Sequence, residues 1–114
     1  MREPLYWEDV EVGMPSPSIA FPITVHRLVV EAGGNRDFAT VHHNQGAAIA
    51  TGAPDCFANN VFIQGMLERV TREFIGCGGI IRKIGPFRMH TFLLAGLTAT
   101  VSGRVSRTCL EVTG

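Results

Sequence analysis

Residues 60–75, NVFIQGMLERVTREFI, carry the pattern on which the reading of the fold turns. Ile63, Met66, Leu67, Val70 and Phe74 recur at the spacing that gathers side chains on one face of an α-helix, and Val61 and Phe62 widen that apolar surface at its start. Across the helix, Glu68 with Arg72 and Arg69 with Glu73 stand four residues apart, where they can pair weakly in solvent. A helix is therefore expected from about Asn60 to Ile75, ended by Gly76-Cys-Gly-Gly79. So much apolar surface at one end requires something to wrap it.

On the C-terminal side the period changes. Ile80 to Ile84, then Phe87 to Leu94, then Leu97, Ala99, Val101, Gly103 and Val105 alternating with polar neighbours, read as a meander of strands. On the N-terminal side residues 19–25 are β-prone, with a proline suited to an edge or a strand end. Thr24 to Ala32 reads as a short helix capped by Thr24 and stopped at Gly33-Gly34. Asn44 can cap a second short helix through Gln45 to Ala50, closed by Gly52. One strand, two short helices, a long buried helix and antiparallel strands describe an α+β domain in which a curved antiparallel sheet wraps a central helix. The turn-rich patches punctuate the chain without dividing it, so residues 1–114 are expected to form a single domain. The final stretch, Leu110-Glu-Val-Thr-Gly114, reads as a truncated C-terminal strand, whose edge would need a partner chain.

A chain of 114 residues has room for one hydrophobic core. Hydrophobic residues make up 46% and charged residues 18%, and the mean hydropathy is +0.19, so a partner subunit is expected to cover part of the surface. Ten basic residues balance ten acidic ones, which is not the footprint of a nucleic-acid binder. Apolar runs fall short of the roughly 18 residues that span a bilayer, and the N-terminus lacks the apolar core of a signal peptide. A cytoplasmic protein is expected. Cys56, Cys77 and Cys109 are scattered and form no CxxC pair, so they read as reduced thiols rather than a disulfide framework or a zinc site.

The segment Gly34-Asn-Arg-Asp-Phe-Ala-Thr-Val-His-His-Asn44 brings Asp37 and His42 close together in sequence, in the loop between the two short helices. A carboxylate and an imidazole that converge on one water can act together as a general base. Spacing alone favours a duller reading, a helix-end Asp beside a surface His. His42-His43 with His26 and His90 do not make a metal site, because adjacent histidines share no face of a helix or strand. Cys56 as a nucleophile would need a lowered pKa, which Asp55 opposes.

The Asp37 to Asn44 run resembles the hydratase signature of the MaoC-like family: Asp, a spacer, Asn-Pro, an apolar residue, His, a spacer, Asp. Asp37, Val41, His42 and Asn44 occupy matching places, with Ala39 where the family prefers Asn, Thr40 where it prefers Pro, and Asn44 for the last Asp. Thr51-Gly-Ala-Pro-Asp-Cys-Phe-Ala-Asn-Asn60 is similar to the family's Gly-x-Pro-Asp-x-Phe-Ala-Asn-Gly stretch, and the likeness runs on through the long helix. The Arg-Asp-Phe-x-x-Val-His-His run looks most like small MaoC-like subunits of actinobacterial steroid side-chain degradation. Downstream, the family's Gly-Asp turn is absent; the chain reads Ala95-Gly96-Leu97.

The resemblance implies a hot-dog fold and the hydration of a trans-2-enoyl-CoA thioester, or the reverse dehydration, on a fatty acyl or steroid side chain. It implies Asp37 and His42 as the catalytic pair, the backbone amide of Asn60 as the donor to the thioester oxygen, no cofactor, and a homodimer or a heteromer with a second MaoC-like subunit. A hot-dog thioesterase would need a carboxylate aimed at the carbonyl, and Glu68 is the one obvious candidate. A non-catalytic partner subunit is the third reading, favoured by the missing Gly-Asp and the short end.

Overall fold

The computed structural model describes residues 3–110. Its elements run from a 3-10 turn at Trp7–Asp9 through β1 (Ile19–Pro22), α1 (Val25–Gly34), a 3-10 turn at Thr40–His42, α2 (Gln45–Ala50) and α3 (Asn60–Ile75) to β2 (Thr98–Val101). Each α-helix starts on a side chain that accepts from a first-turn amide: Thr24 from Arg27 N, Asn44 from Ala47 N and Asn59 from Phe62 N. These caps satisfy donors that the helix itself leaves unpaired. Gly76 ends α3 at φ 69°, and a Cβ there would meet the Glu3 carbonyl oxygen at 3.0 Å, so conformation and space both favour glycine.

The buried stripe of α3 is Phe62, Met66 and Val70, with Ile63, Leu67 and Phe74 half-buried beside it. Val61 is exposed, so Phe62 alone widens the stripe at its start. Phe62 and Met66 join Ile23, Leu28, Cys56 and Ala58 in the core, against which Phe21, Leu93, Ala99 and Val101 pack. Burying a side chain the size of Met66 stabilises the fold by about 2 kcal/mol. On the far side, Arg69 Nε lies 3.1 Å from Glu73 Oε1, and Arg72 Nε lies 3.8 Å from Glu68 Oε1.

β1 and β2 pair antiparallel, Ile19 opposite Val101 and Phe21 opposite Ala99, so these half-buried residues face the helix and their neighbours face out. The pairing resumes upstream: Ser16 N donates to Gly103 O (2.9 Å), and Gly13 N to Val105 O (2.7 Å). Pro15 and Pro17 lack the N–H a continuous ladder needs. Where the Gly-Asp pair is absent, the chain turns at Gly96, which sits at φ 88° and donates to Ile23 O (2.7 Å), while Ile23 N donates to Leu97 O (2.8 Å).

Two expectations need correction. First, α1 does not stop at the glycine pair but runs through it to Gly34, closed by Asn35 to Asp37; glycines weaken a helix without forbidding it. Second, the strands expected over 80–84 and 87–94 are not formed, and the sheet among the described residues has two strands. The end of that segment makes a short backbone pairing: Phe57 bridges Leu94, with Ala58 N donating to Leu93 O and Ala95 N to Cys56 O, both at 2.9 Å. Residues 80–92 have a strand's composition but no paired strand beside them, and Ile80 is 86% exposed. The radius of gyration, 17.1 Å, reflects this open arrangement; a compact chain of this length would have about 13 Å. Beyond Leu110 the expected truncated strand lies outside the described residues. No helix among them is long and apolar enough to cross a membrane.

Candidate active site

The end of α1 places Asp37. Arg36 N donates to Gly33 O (3.1 Å) and Asp37 N to Ala32 O (2.8 Å), the two bonds of a Schellman closure, with Arg36 at φ 57° where glycine is usual. Asp37 is thus held by its own backbone at a fixed distance past the helix. Its Oδ1 accepts from Ala39 N (3.2 Å), a local turn that starts the loop toward His42. The 3-10 turn over Thr40–His42 then swings the imidazole back: His42 N donates to Ala39 O, and Asn44 N to Thr40 O.

The two side chains meet. His42 Nε2 lies 3.0 Å from Asp37 Oδ2, with the imidazole 7% exposed and the carboxylate 35% exposed. His42 Nδ1 is 2.7 Å from the Phe57 carbonyl oxygen. That oxygen can only accept, so Nδ1 carries the hydrogen. Nε2 is then a lone pair in the neutral ring and an N–H in the imidazolium. The Phe57 ring stands edge-on to the imidazole at 5.2 Å, backed by Phe92 at 4.8 Å, which holds the ring's plane. Asn59 Nδ2 donates to Asp37 Oδ2 (3.2 Å). The Ala39 N–H holds the Asp37 carboxyl below the usual carboxylate range; the Asn59 amide and the His42 ring act in the same direction, against a smaller upward push from burial.

With Asp37 ionised and His42 neutral, two acceptors face each other at 3.0 Å. They repel until something supplies hydrogen. A proton on Nε2 makes an ion pair; a water can donate one hydrogen to each. Such an arrangement can accept both hydrogens of one water molecule and hold one of its protons.

Both groups line a cavity of about 450 Å³ whose wall includes Phe57, Asn59, Asn60 and Met89. Asn60 opens α3, and its N–H has no acceptor among the described residues. Cavity, dyad and the amide end of the helix thus share one space.

Other sequence candidates lie elsewhere. Glu68 is on the exposed face of α3 beside Arg72, far from any carbonyl-binding role. Among the described residues no three His, Cys, Asp or Glu side chains gather as a metal site. Cys56 is buried in the core, where burial first and the Asp55 carboxylate second push its thiol up, away from a thiolate. Phe57, through its carbonyl, and Asn59, through its amide, were not singled out for the dyad by the sequence. The signal for both was their place in the Phe57-Ala-Asn-Asn60 run just ahead of the long helix.

No protein-family model matches the sequence. Over 79 residues, 69% of the chain, it is 34% identical to the 3-oxo-4,17-pregnadiene-20-carboxyl-CoA hydratase beta subunit of Mycobacterium tuberculosis, and the match spans 60% of that relative's length. The fold superposes on a chain of the ChsH1–ChsH2 complex from Mycobacterium tuberculosis with a TM-score of 0.83 and 30% identity, covering 87% of this chain and 77% of that one. An (R)-hydratase from A. caviae involved in PHA biosynthesis superposes with a TM-score of 0.74 at 16% identity, over 88% of this chain and 75% of that one, a likeness of fold. The helix with its partly formed antiparallel sheet is thus a hot-dog, and the chain belongs to the MaoC-like hot-dog family.

Proposed function

We propose that the chain hydrates a trans-2-enoyl-CoA thioester to the 3-hydroxyacyl-CoA, or runs the reverse dehydration. The observation that carries this is the 3.0 Å approach of Asp37 Oδ2 to His42 Nε2, with Nδ1 already committed to Phe57 O. A water seated on this pair gives one hydrogen to each acceptor. Its oxygen bonds to C3 as Nε2 takes a proton, and the electrons of the C2–C3 double bond move to the thioester oxygen as an enolate. The Asn60 N–H, at the positive end of the α3 dipole, stabilises that charge. C2 then takes the proton back from the imidazolium. Asp37 keeps the hydrogen bond throughout and steadies the cationic ring. The reaction changes no oxidation state, so it needs no cofactor. The relative's name, the beta subunit of a hydratase for a pregnadiene carboxyl-CoA, favours a steroid side-chain acyl group over a short one.

The working unit is a heteromer with a second MaoC-like subunit: the curated relative is a beta subunit, the superposed structure is a two-component complex, and residues 80–92 of this chain have a strand's composition but form no strand. We place it in the cytoplasm on its three unpaired thiols, which suit a reducing compartment. A second reading, a subunit that only completes the partner's site, draws on the same strandless segment.

One experiment separates them. The full chain, alone and with its MaoC-like partner, is offered enoyl-CoA thioesters from crotonyl to a steroid side chain, and loss of the conjugated-thioester absorbance is followed. Asp37→Asn and His42→Ala should each lower kcat by about 10²–10⁴-fold with the fold retained by circular dichroism. Turnover by the complex that survives both substitutions would assign the chemistry to the partner.

A further inference from the structure

Asn59 makes two hydrogen bonds that point in different directions. Its Oδ1 accepts from Phe62 N at 2.8 Å, and its Nδ2 donates to Asp37 Oδ2 at 3.2 Å, across 22 residues of sequence. A backbone N–H can only donate and an ionised carboxylate can only accept, so the amide has a single orientation that satisfies both. The residue is 8% exposed, and water has little room to replace either bond. It also stands immediately before Asn60, which lines the same cavity, so the side chain that caps α3 also touches the dyad.

Asp37 has few other supports. Ala39 contributes only its backbone N–H, to Oδ1. Beyond the His42 ring, Asn59 is the sole donor to Oδ2 among the described residues, and Oδ2 is the oxygen that faces Nε2. Position 39 is an alanine and offers no side-chain amide; the amide on Oδ2 comes from the helix cap.

Resting on the hydratase reading above, we infer that Asn59 is a positioning residue: its amide locks Asp37 Oδ2 against His42 and ties the dyad to the start of α3, fixing both relative to the Asn60 amide. It touches no reacting atom. Its action passes through Asp37, so losing it should lower turnover more than substrate binding.

Two substitutions separate capping from positioning. Asn59→Ser keeps a good cap with a side chain too short to reach Asp37. Asn59→Asp keeps the acceptor for Phe62 N–H and nearly the same shape, but sets a carboxylate oxygen where the donor was. The chain has three aspartates, Asp9, Asp37 and Asp55, so carboxyl carbons labelled with ¹³C can be followed by NMR, with Asp37→Asn assigning the signal. The Asp37 midpoint should rise by about one pH unit in Asn59→Asp, and by less in Asn59→Ser. In the enoyl-CoA assay kcat should fall about tenfold in Asn59→Ser while KM stays within about threefold, and the acid limb of kcat/KM should move with the NMR midpoint.

An unmoved Asp37 midpoint in both variants overturns the inference whether or not the protein hydrates anything. A moved midpoint with kcat unchanged also overturns it, since Asn59 would then act on Asp37 without consequence for the reaction. A moved midpoint in a chain whose wild type, with its partner, hydrates no enoyl-CoA supports the Asn59–Asp37 link and removes the hydratase reading instead.

Discussion

Replacing Arg36 by glycine should stabilise the protein without disturbing its site. Arg36 occupies the left-handed position of the closure that ends α1, at φ 57°. An L-residue pays about 1–2 kcal/mol for that conformation, and glycine returns about 0.5–1 kcal/mol through the freedom it gives the unfolded chain. The difference leaves roughly 0.5–1 kcal/mol in favour of Arg36→Gly, a rise in Tm of about 2–5 °C. Arg36 is exposed, and none of its side-chain hydrogen bonds is needed for the closure, which is made by Arg36 N to Gly33 O and Asp37 N to Ala32 O. Those bonds survive the change, so Asp37 stays in place and kcat should hold within about twofold. The assay is thermal unfolding followed by circular dichroism, at matched concentrations because assembly shifts apparent stability. Arg36→Ala is the control, since it removes the same side chain but keeps the Cβ that clashes. An equal gain from alanine, or a loss from glycine, would refute the conformational account.

Three further outcomes are expected. Because Asp37 has a lowered pKa in the folded state, its contribution to stability is present above the unfolded value of about 4 and is lost as pH falls through the folded one; Asp37→Asn should therefore melt below wild type at pH 7, with the gap closing toward pH 3. Thiol titration at pH 8 should find Cys77 and Cys109 reacting quickly and Cys56 only on unfolding, since the first two are exposed and the third is buried with its thiol pushed up; rapid modification of all three in native protein would contradict the core as described. Glu68→Gln should leave hydration unchanged and shift stability by less than about 1 kcal/mol, as expected for an exposed ion pair; loss of a thioester-cleaving activity in this variant would revive the thioesterase reading.

What the sequence made legible was local. The extent of α3, the capping side chains Thr24 and Asn44 and the ion pairs on the exposed face of α3 each depend on residues within about a turn of one another, and all are where the spacing put them. The approach of Asp37 to His42 belongs to the same class, because a Schellman closure, a side-chain turn and one 3-10 turn carry the chain from the first residue to the second. Asn59 and Phe57 hold this pair from across the fold. No periodicity announces a contact across 22 residues, and an Asn before a helix reads as a cap because it is one.

Strands expose the same limit from the other side. A helix pairs its own backbone, so its pattern is sufficient for its formation, whereas a strand needs a neighbour to receive its hydrogen bonds. Residues 98–101 find one in 19–22, and residues 93–95 find a short one in 56–58. Residues 80–92 have a comparable apolar composition but form no strand among the described residues, and Ile80, Ile84, Met89 and Phe92 are exposed along them. Composition marked that segment as sheet-forming, and among the described residues no strand completes it. Met89 from that segment also lines the cavity of Asp37 and His42. A strand laid beside 80–92 would therefore border the site as well as the sheet, which is the physical reason for testing hydration with the proposed MaoC-like partner present as well as on this chain alone.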